Sequence, residues 1–170
     1  AASGYDEGLF YYAGHGIQVN GVNYLVPVGA KLRTEQQVEY QCVRADRVLG
    51  EMEASRTSVN LLILDACRDN PFERSWRRAQ KGAGLASMDA PSGTLIAYAT
   101  APGSTASDGV GRNGLYTAAI LEKIRTPGLS IYELFQEVRN TVLRRSGEKQ
   151  KPWESVSLTR TFYFKEGAAR

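Results

Sequence analysis

The chain is poor in cysteine and histidine. In 170 residues it has one histidine and two cysteines, Cys42 and Cys67. Two cysteines cannot make the framework of a small secreted disulfide scaffold. No apolar run approaches the roughly 18 residues a membrane span needs, and no signal peptide is visible. The net charge of +3 is too small, by itself, to argue for a nucleic-acid partner. Internal repeats are absent. What remains is a chain long enough to bury the core of one α/β domain, with no membrane or nucleic acid called for and the compartment left open.

The hydrophobic pattern supplies the elements. Gly8 to Ala13 is an apolar and aromatic run, expected to be a buried strand that stops at Gly14. Val22 to Val28 is a second extended piece, with Pro27 arguing for an edge or a hairpin arm. Asp46 to Glu53 carries Val48, Leu49 and Met52 at helical spacing. Val59 to Leu64 is apolar on both faces, as a parallel strand is. From Asp69 to Ser92 the chain is polar and aperiodic. Its Arg74, Arg77, Arg78 and Lys81 suit a solvated loop. Thr94 to Thr100 is a strand and Ala101 to Asn113 a Gly/Ser-rich loop. Leu115 to Ile124 is a helix with Asn113 as its cap. The next helix starts with a Ser130/Glu133 capping box and runs to about Arg145. Phe162 to Phe164 is expected to be a short last strand. Strands alternating with helices imply an α/β fold with a mainly parallel central sheet flanked by helices.

Two places carry chemistry. The lone histidine, His15, follows a strand and has glycine on both sides, Gly14 and Gly16, which lets the backbone turn sharply. Cys67 follows the strand Leu61-Leu62-Ile63-Leu64. Open α/β sheets bind ligands at the carboxyl ends of their strands. If these two strands are parallel neighbours, thiol and imidazole share one crevice and form the minimal nucleophile–base pair. The thiolate attacks a carbonyl and the histidine protonates the leaving amine. The bland alternative is a buried cysteine and an unrelated histidine. Cys42, between Gln41 and Val43, is expected to be a small buried hydrophobe.

These motifs resemble those of bacterial caspase-like peptidases of the metacaspase and paracaspase type. Phe10-Tyr11-Tyr12-Ala13-Gly14-His15-Gly16 is similar to the family's histidine motif and Asp65-Ala66-Cys67 to its cysteine motif. Their separation fits the roughly 50 residues of a caspase. Tyr98 to Gly103 and Ala106 to Gly109 resemble the small-subunit strand and substrate-pocket loop. The resemblance implies a caspase–haemoglobinase fold over residues 1–170: a large-subunit part to residue 72, a linker over 73–92 and a small-subunit part over 93–170. It implies a cysteine endopeptidase with His15 and Cys67 catalytic. It also implies an oxyanion hole from the backbone N–H groups of Gly16 and Cys67. Caspases have Gln-Ala-Cys at the nucleophile and a basic first pocket; this chain has Asp65 before Cys67, and Asp108 in the later loop. By similarity, these carboxylates form an acidic pocket for Arg or Lys before the scissile bond, a role paired carboxylates suit. Each could instead be a cap or turn residue. No metal, calcium included, and no cofactor is expected.

Three further expectations complete the reading. Phe72 to Ser92, basic and placed where caspases divide their subunits, is expected to be mobile or self-cleaved, or else docked near Gly82 to Leu85. The resemblance places two strands before the histidine strand, so an N-terminal segment of the same fold is expected to lie outside this chain or in a partner. Two rivals stay open: a caspase-like scaffold without catalysis, and a thioester or amide hydrolase on an α/β sheet.

Overall fold

The computed structural model describes residues 6–67, 85–102 and 112–167, with the backbone alone at Cys67. Among the described residues six strands form one sheet, in the order β3-β2-β1-β4-β5-β6. Its centre is parallel: β1 (Glu7–Val19) lies beside β4 (Val59–Cys67), and β4 beside β5 (Thr94–Tyr98). Three antiparallel strands complete it: β2 (Val22–Leu25) pairs β1, β3 (Val43–Arg44) pairs β2, and β6 (Trp153–Val156) pairs β5. The α/β expectation holds, with a mixed sheet that is parallel in its core.

Helices cover both faces. On one side α3 (Leu115–Lys123) and α4 (Ile131–Ser146) pack Tyr116, Ile120, Leu134 and Val138 onto Leu61, Ile63 and Leu95. On the other, α2 (Ala45–Ala54) sets Ala45 and Leu49 against Leu62, Leu64 and Ile96. Alternation along β4 therefore feeds two cores from one strand, which is why its sequence is apolar at consecutive positions. A smaller cluster joins Val38 of α1 (Gln36–Gln41) to Ile17, Tyr24 and Leu32. Each large side chain buried in these layers contributes about 1.5–3 kcal/mol.

Several expectations need correction. The histidine strand does not stop at Gly14. It runs on through His15 and Gly16 to Val19, and the turn comes at Asn20 and Gly21, with φ of 50° and 82°. Positive φ at both centres is the hairpin turn whose twist matches the strands, and Asn-Gly is its favoured pair. Gly14 and Gly16 are glycines for want of room instead. A Cβ at Gly14 would stand 2.7 Å from the Tyr12 hydroxyl oxygen, and one at Gly16 would stand 2.8 Å from Leu85 Cδ2. Asn113 does not cap α3. The N-cap is Gly114, which offers no side chain, and a carboxylate from β4 takes the role. Phe162 to Phe164 make only an isolated bridge, Ser130 with Tyr163; the Phe162 and Phe164 rings pack instead against the α3–α4 core, and Tyr163 is exposed. The last strand is Trp153–Val156, four residues too few to show a period. Cys42 is half-buried, not fully buried, and burial pushes its thiol pKa up. The Ser130/Glu133 capping box is present as expected, and α4 ends on Gly147 in the left-handed conformation.

Of the linker, residues 73–84 lie outside the described residues. Residues 85–92, expected to belong to it, are docked. Asn23 donates to the Ala86 carbonyl and accepts from its amide, both at 2.8 Å. Met88 N–H donates to the Tyr98 hydroxyl and Ala90 N–H to Ser155 Oγ. Leu85 is buried against Ala66 and Leu64. The segment thus crosses the sheet on its α2 face, from β2 to β6.

Candidate active site

The parallel register of β1 and β4 ends with His15 opposite Cys67. Beyond His15, β1 changes partner: Gly16 to Val19 pair antiparallel with β2. The Tyr12 hydroxyl fastens this junction by sharing its one proton between the carbonyls of His15 (2.8 Å) and Val26 (2.9 Å). Burial raises the Tyr12 pKa, so the phenol stays a donor. Gly14 leaves the space that the Tyr12 ring fills.

Alternation puts Tyr11, Ala13 and His15 on the face that α3 covers, and all three are exposed. Asp65, the register partner of Ala13, is buried, at 5% exposure. A buried carboxylate demands donors, and Thr117 supplies two to the same oxygen. Its backbone N–H donates to Asp65 Oδ2 at 3.2 Å, and its hydroxyl makes a short hydrogen bond to that atom. Thr117 is the third residue of α3, so the carboxylate meets the positive end of the helix. Gly114 completes the fit: a Cβ there would stand 3.1 Å from Asp65 Oδ2. The Tyr11 hydroxyl lies 2.5 Å from Thr117 Oγ1. Burial raises the Tyr11 pKa; the Thr117 hydrogen bond opposes this and the Asp65 charge adds to it. The deeply buried Tyr116 phenol is pushed well up by burial first and by Asp65 second.

On the opposite face Gly16 lies against Leu85 and Ala66. The structure thus brings His15, Gly16, Asp65 and the backbone of Cys67 to one end of the parallel sheet. Asp108 lies outside the described residues. Among the described residues no group of three His, Cys, Asp or Glu side chains is placed to hold a metal ion. Also among them, no helix is long and apolar enough to cross a membrane.

This strand-end pairing is joined by a direct family match. The family model described as the caspase domain matches residues 2–163. The chain belongs to the caspase family of cysteine endopeptidases. Similar to it over 63 residues, at 38% identity, is the mucosa-associated lymphoid tissue lymphoma translocation protein 1 of Homo sapiens; the Mus musculus homolog matches equally. Those matches cover 36% of this chain and only 7% of either relative. Caspase-1 from Spodoptera frugiperda shares the fold, with a TM-score of 0.51 and 21% identity. That match covers 74% of this chain and 57% of the insect chain. The caspase-like α/β fold implied by the motifs is therefore the one observed.

Sequence reasoning missed Thr117 and Gly114 and named Tyr11 only as part of the histidine motif, while the docked alternative it kept for Gly82 to Leu85 is met at Leu85, which is buried. A signal for Tyr11 was present: it lies four residues before His15 in one strand, hence on the same face. Thr117 carries no such mark, because its importance comes from a contact made across the fold.

Proposed function

We propose that this caspase-family chain cleaves peptide bonds after Arg or Lys, with Cys67 as nucleophile and His15 as acid–base partner. The observation that carries the reading is their pairing as the last register positions of two parallel strands. In the proposed reaction the Cys67 thiolate attacks the scissile carbonyl carbon. The backbone N–H groups of Gly16 and Cys67 stabilise the oxyanion. The intermediate collapses, the peptide C–N bond breaks, and His15 gives its proton to the departing amine. Water then attacks the thioester, His15 takes its proton, and the new carboxyl product leaves Cys67 regenerated.

Asp65 and Asp108 are proposed to bind the basic side chain that precedes the cut. Support comes from Asp65, a buried carboxylate whose Cα lies two residues from Cys67 on one strand. Linker residues between Phe72 and Gly84, which include Arg74, Arg77, Arg78 and Lys81, are proposed sites of self-processing.

Two measurements test this. A peptide library read on the purified protein should show cleavage after Arg and Lys, and an arginyl ketone should leave its adduct on Cys67. Cleavage after aspartate would overturn the acidic pocket. No adduct and no turnover would leave a non-catalytic caspase scaffold, while hydrolysis of small thioesters or amides without peptide cleavage would point to another hydrolase.

The free flank of β1 is proposed to take a further strand, from residues outside these 170 or from another chain. From Glu7 to Gly14, β4 is its only partner among the described strands. Leu9 there is 56% exposed, and a cleft of about 590 Å³ opens between β1 and α2. Uncovered edges of this kind promote aggregation. A monodisperse, fully active preparation of these 170 residues alone would refute the proposal.

A further inference from the structure

We infer that Thr117, held by Tyr11, is a positioning residue that sets the plane of the Asp65 carboxylate and so makes the pocket select Arg over Lys. The inference rests on the proposed role of Asp65 in binding the basic side chain.

The geometry carries it. Asp65 Oδ2 accepts from both the backbone N–H and the hydroxyl of Thr117. Two donors on one oxygen, from a single residue at the start of a helix, fix where that oxygen lies and how the carboxylate is turned. A threonine hydroxyl has one proton. Since that proton goes to Asp65, the Tyr11 hydroxyl must be the donor in its 2.5 Å contact with Thr117 Oγ1. Tyr11 thus occupies the acceptor side of the Thr117 oxygen and leaves its proton only one destination. The chain Tyr11–Thr117–Asp65 ties the histidine strand, the nucleophile strand and α3 together, and Asp65 in turn sits opposite Ala13 in the register. Gly114 leaves room for the carboxylate and no room for a side chain that would displace it.

The consequence for specificity follows from the two cations. A guanidinium is planar and carries its N–H donors in a rigid fork, so it is sensitive to how the carboxylate is turned. An ammonium is a compact charge with rotatable donors and tolerates the turn. Loosening Asp65 should therefore weaken Arg substrates selectively.

The experiment compares wild type with Thr117→Val, Thr117→Ser and Tyr11→Phe. Two peptides differ only by Arg or Lys before the scissile bond, and kcat and KM are measured separately. Thr117→Val should raise KM for the Arg peptide about tenfold, with KM for the Lys peptide changed less than about twofold, as expected for lost orientation. Thr117→Ser keeps both donors and should restore wild-type values. Tyr11→Phe leaves the Thr117 proton but frees its direction, and should give a smaller loss of the same sign. Should Thr117→Val fail to fold, Tyr11→Phe decides. Equal losses on both peptides, or an unchanged Arg-to-Lys ratio in the folded variants, would overturn the inference while leaving the acidic pocket standing. A wild type that does not cut after basic residues would overturn the pocket itself, and the inference with it.

Discussion

His15 and Cys67 are the last paired positions of β1 and β4, at the point where β1 exchanges a parallel neighbour for an antiparallel one. One edge of the β1 backbone bonds to β4 up to this pair, and Val26 N–H donates to the His15 carbonyl at 3.0 Å beyond it. The histidine backbone is thus held by two strands while its side chain remains exposed. Removing either side chain should spare this scaffold. Cys67→Ala and His15→Ala are each expected to abolish turnover with the thermal midpoint nearly unchanged. Substantial residual activity in either would sink the assigned roles.

Asp108 is expected to act with Asp65. Removing one partner of a buried charge pair costs about 2–5 kcal/mol, which is a loss of about 30-fold or more in kcat/KM. Steady-state kinetics of Asp108→Ala on an Arg peptide would measure it. Activity within a few-fold of wild type would leave Asp108 as an ordinary turn residue before Gly109.

Gly16 and Leu85 should be energetically coupled. A methyl group at position 16 would stand 2.8 Å from Leu85 Cδ2 and 3.0 Å from Ala66 Cβ. Gly16→Ala should destabilise by about 1–3 kcal/mol through overpacking. Leu85→Ala alone should cost about 2–5 kcal/mol through its cavity. The double variant should lose less than the sum, because each change relieves the other. Urea unfolding of all four proteins would show additivity instead if Leu85 were not the obstacle.

Much of this could be read in the chain itself. The consecutive apolar residues Leu61 to Leu64 marked a doubly covered strand, and Ser130 with Glu133 marked the start of α4. The spacing of His15 and Cys67 led to the right family. What escaped had physical reasons. Gly14 and Gly16 looked like hinges because glycine so often supplies unusual dihedrals, whereas here they clear space for Tyr12 and Leu85. Asn113 looked like a cap because local rules cannot see a carboxylate arriving from another strand. Trp153 to Val156 was too short to carry a pattern, and its strand exists because Leu95 to Tyr98 offer it an edge.

High pH should unfold the protein through its buried phenols. Burial pushes the Tyr98 pKa up to about 12, against 10 in the unfolded chain. The folded state therefore holds its proton where the unfolded state has lost it. This stability is fully present below pH 10 and disappears as pH rises towards 12, by about 3 kcal/mol from Tyr98 alone. Tyr11, Tyr12 and Tyr116 shift in the same direction and steepen the fall. Urea midpoints followed from pH 9 to 12 should drop, and Tyr98→Phe should flatten the drop. A midpoint that is level across this range would contradict the assignment.

Residues 85–90 hold β2 through Asn23, β5 through Tyr98 and β6 through Ser155, while β4 and β5 share a parallel ladder. A break anywhere between residues 68 and 84 would therefore yield two pieces already interlocked within one sheet. Continuity of the polypeptide serves assembly, since it makes the meeting of the two halves intramolecular and raises their effective concentration. Once the ladder and the Asn23 clasp have formed, that continuity is dispensable. A nicked molecule should migrate as two fragments under denaturing conditions and as one particle under native ones.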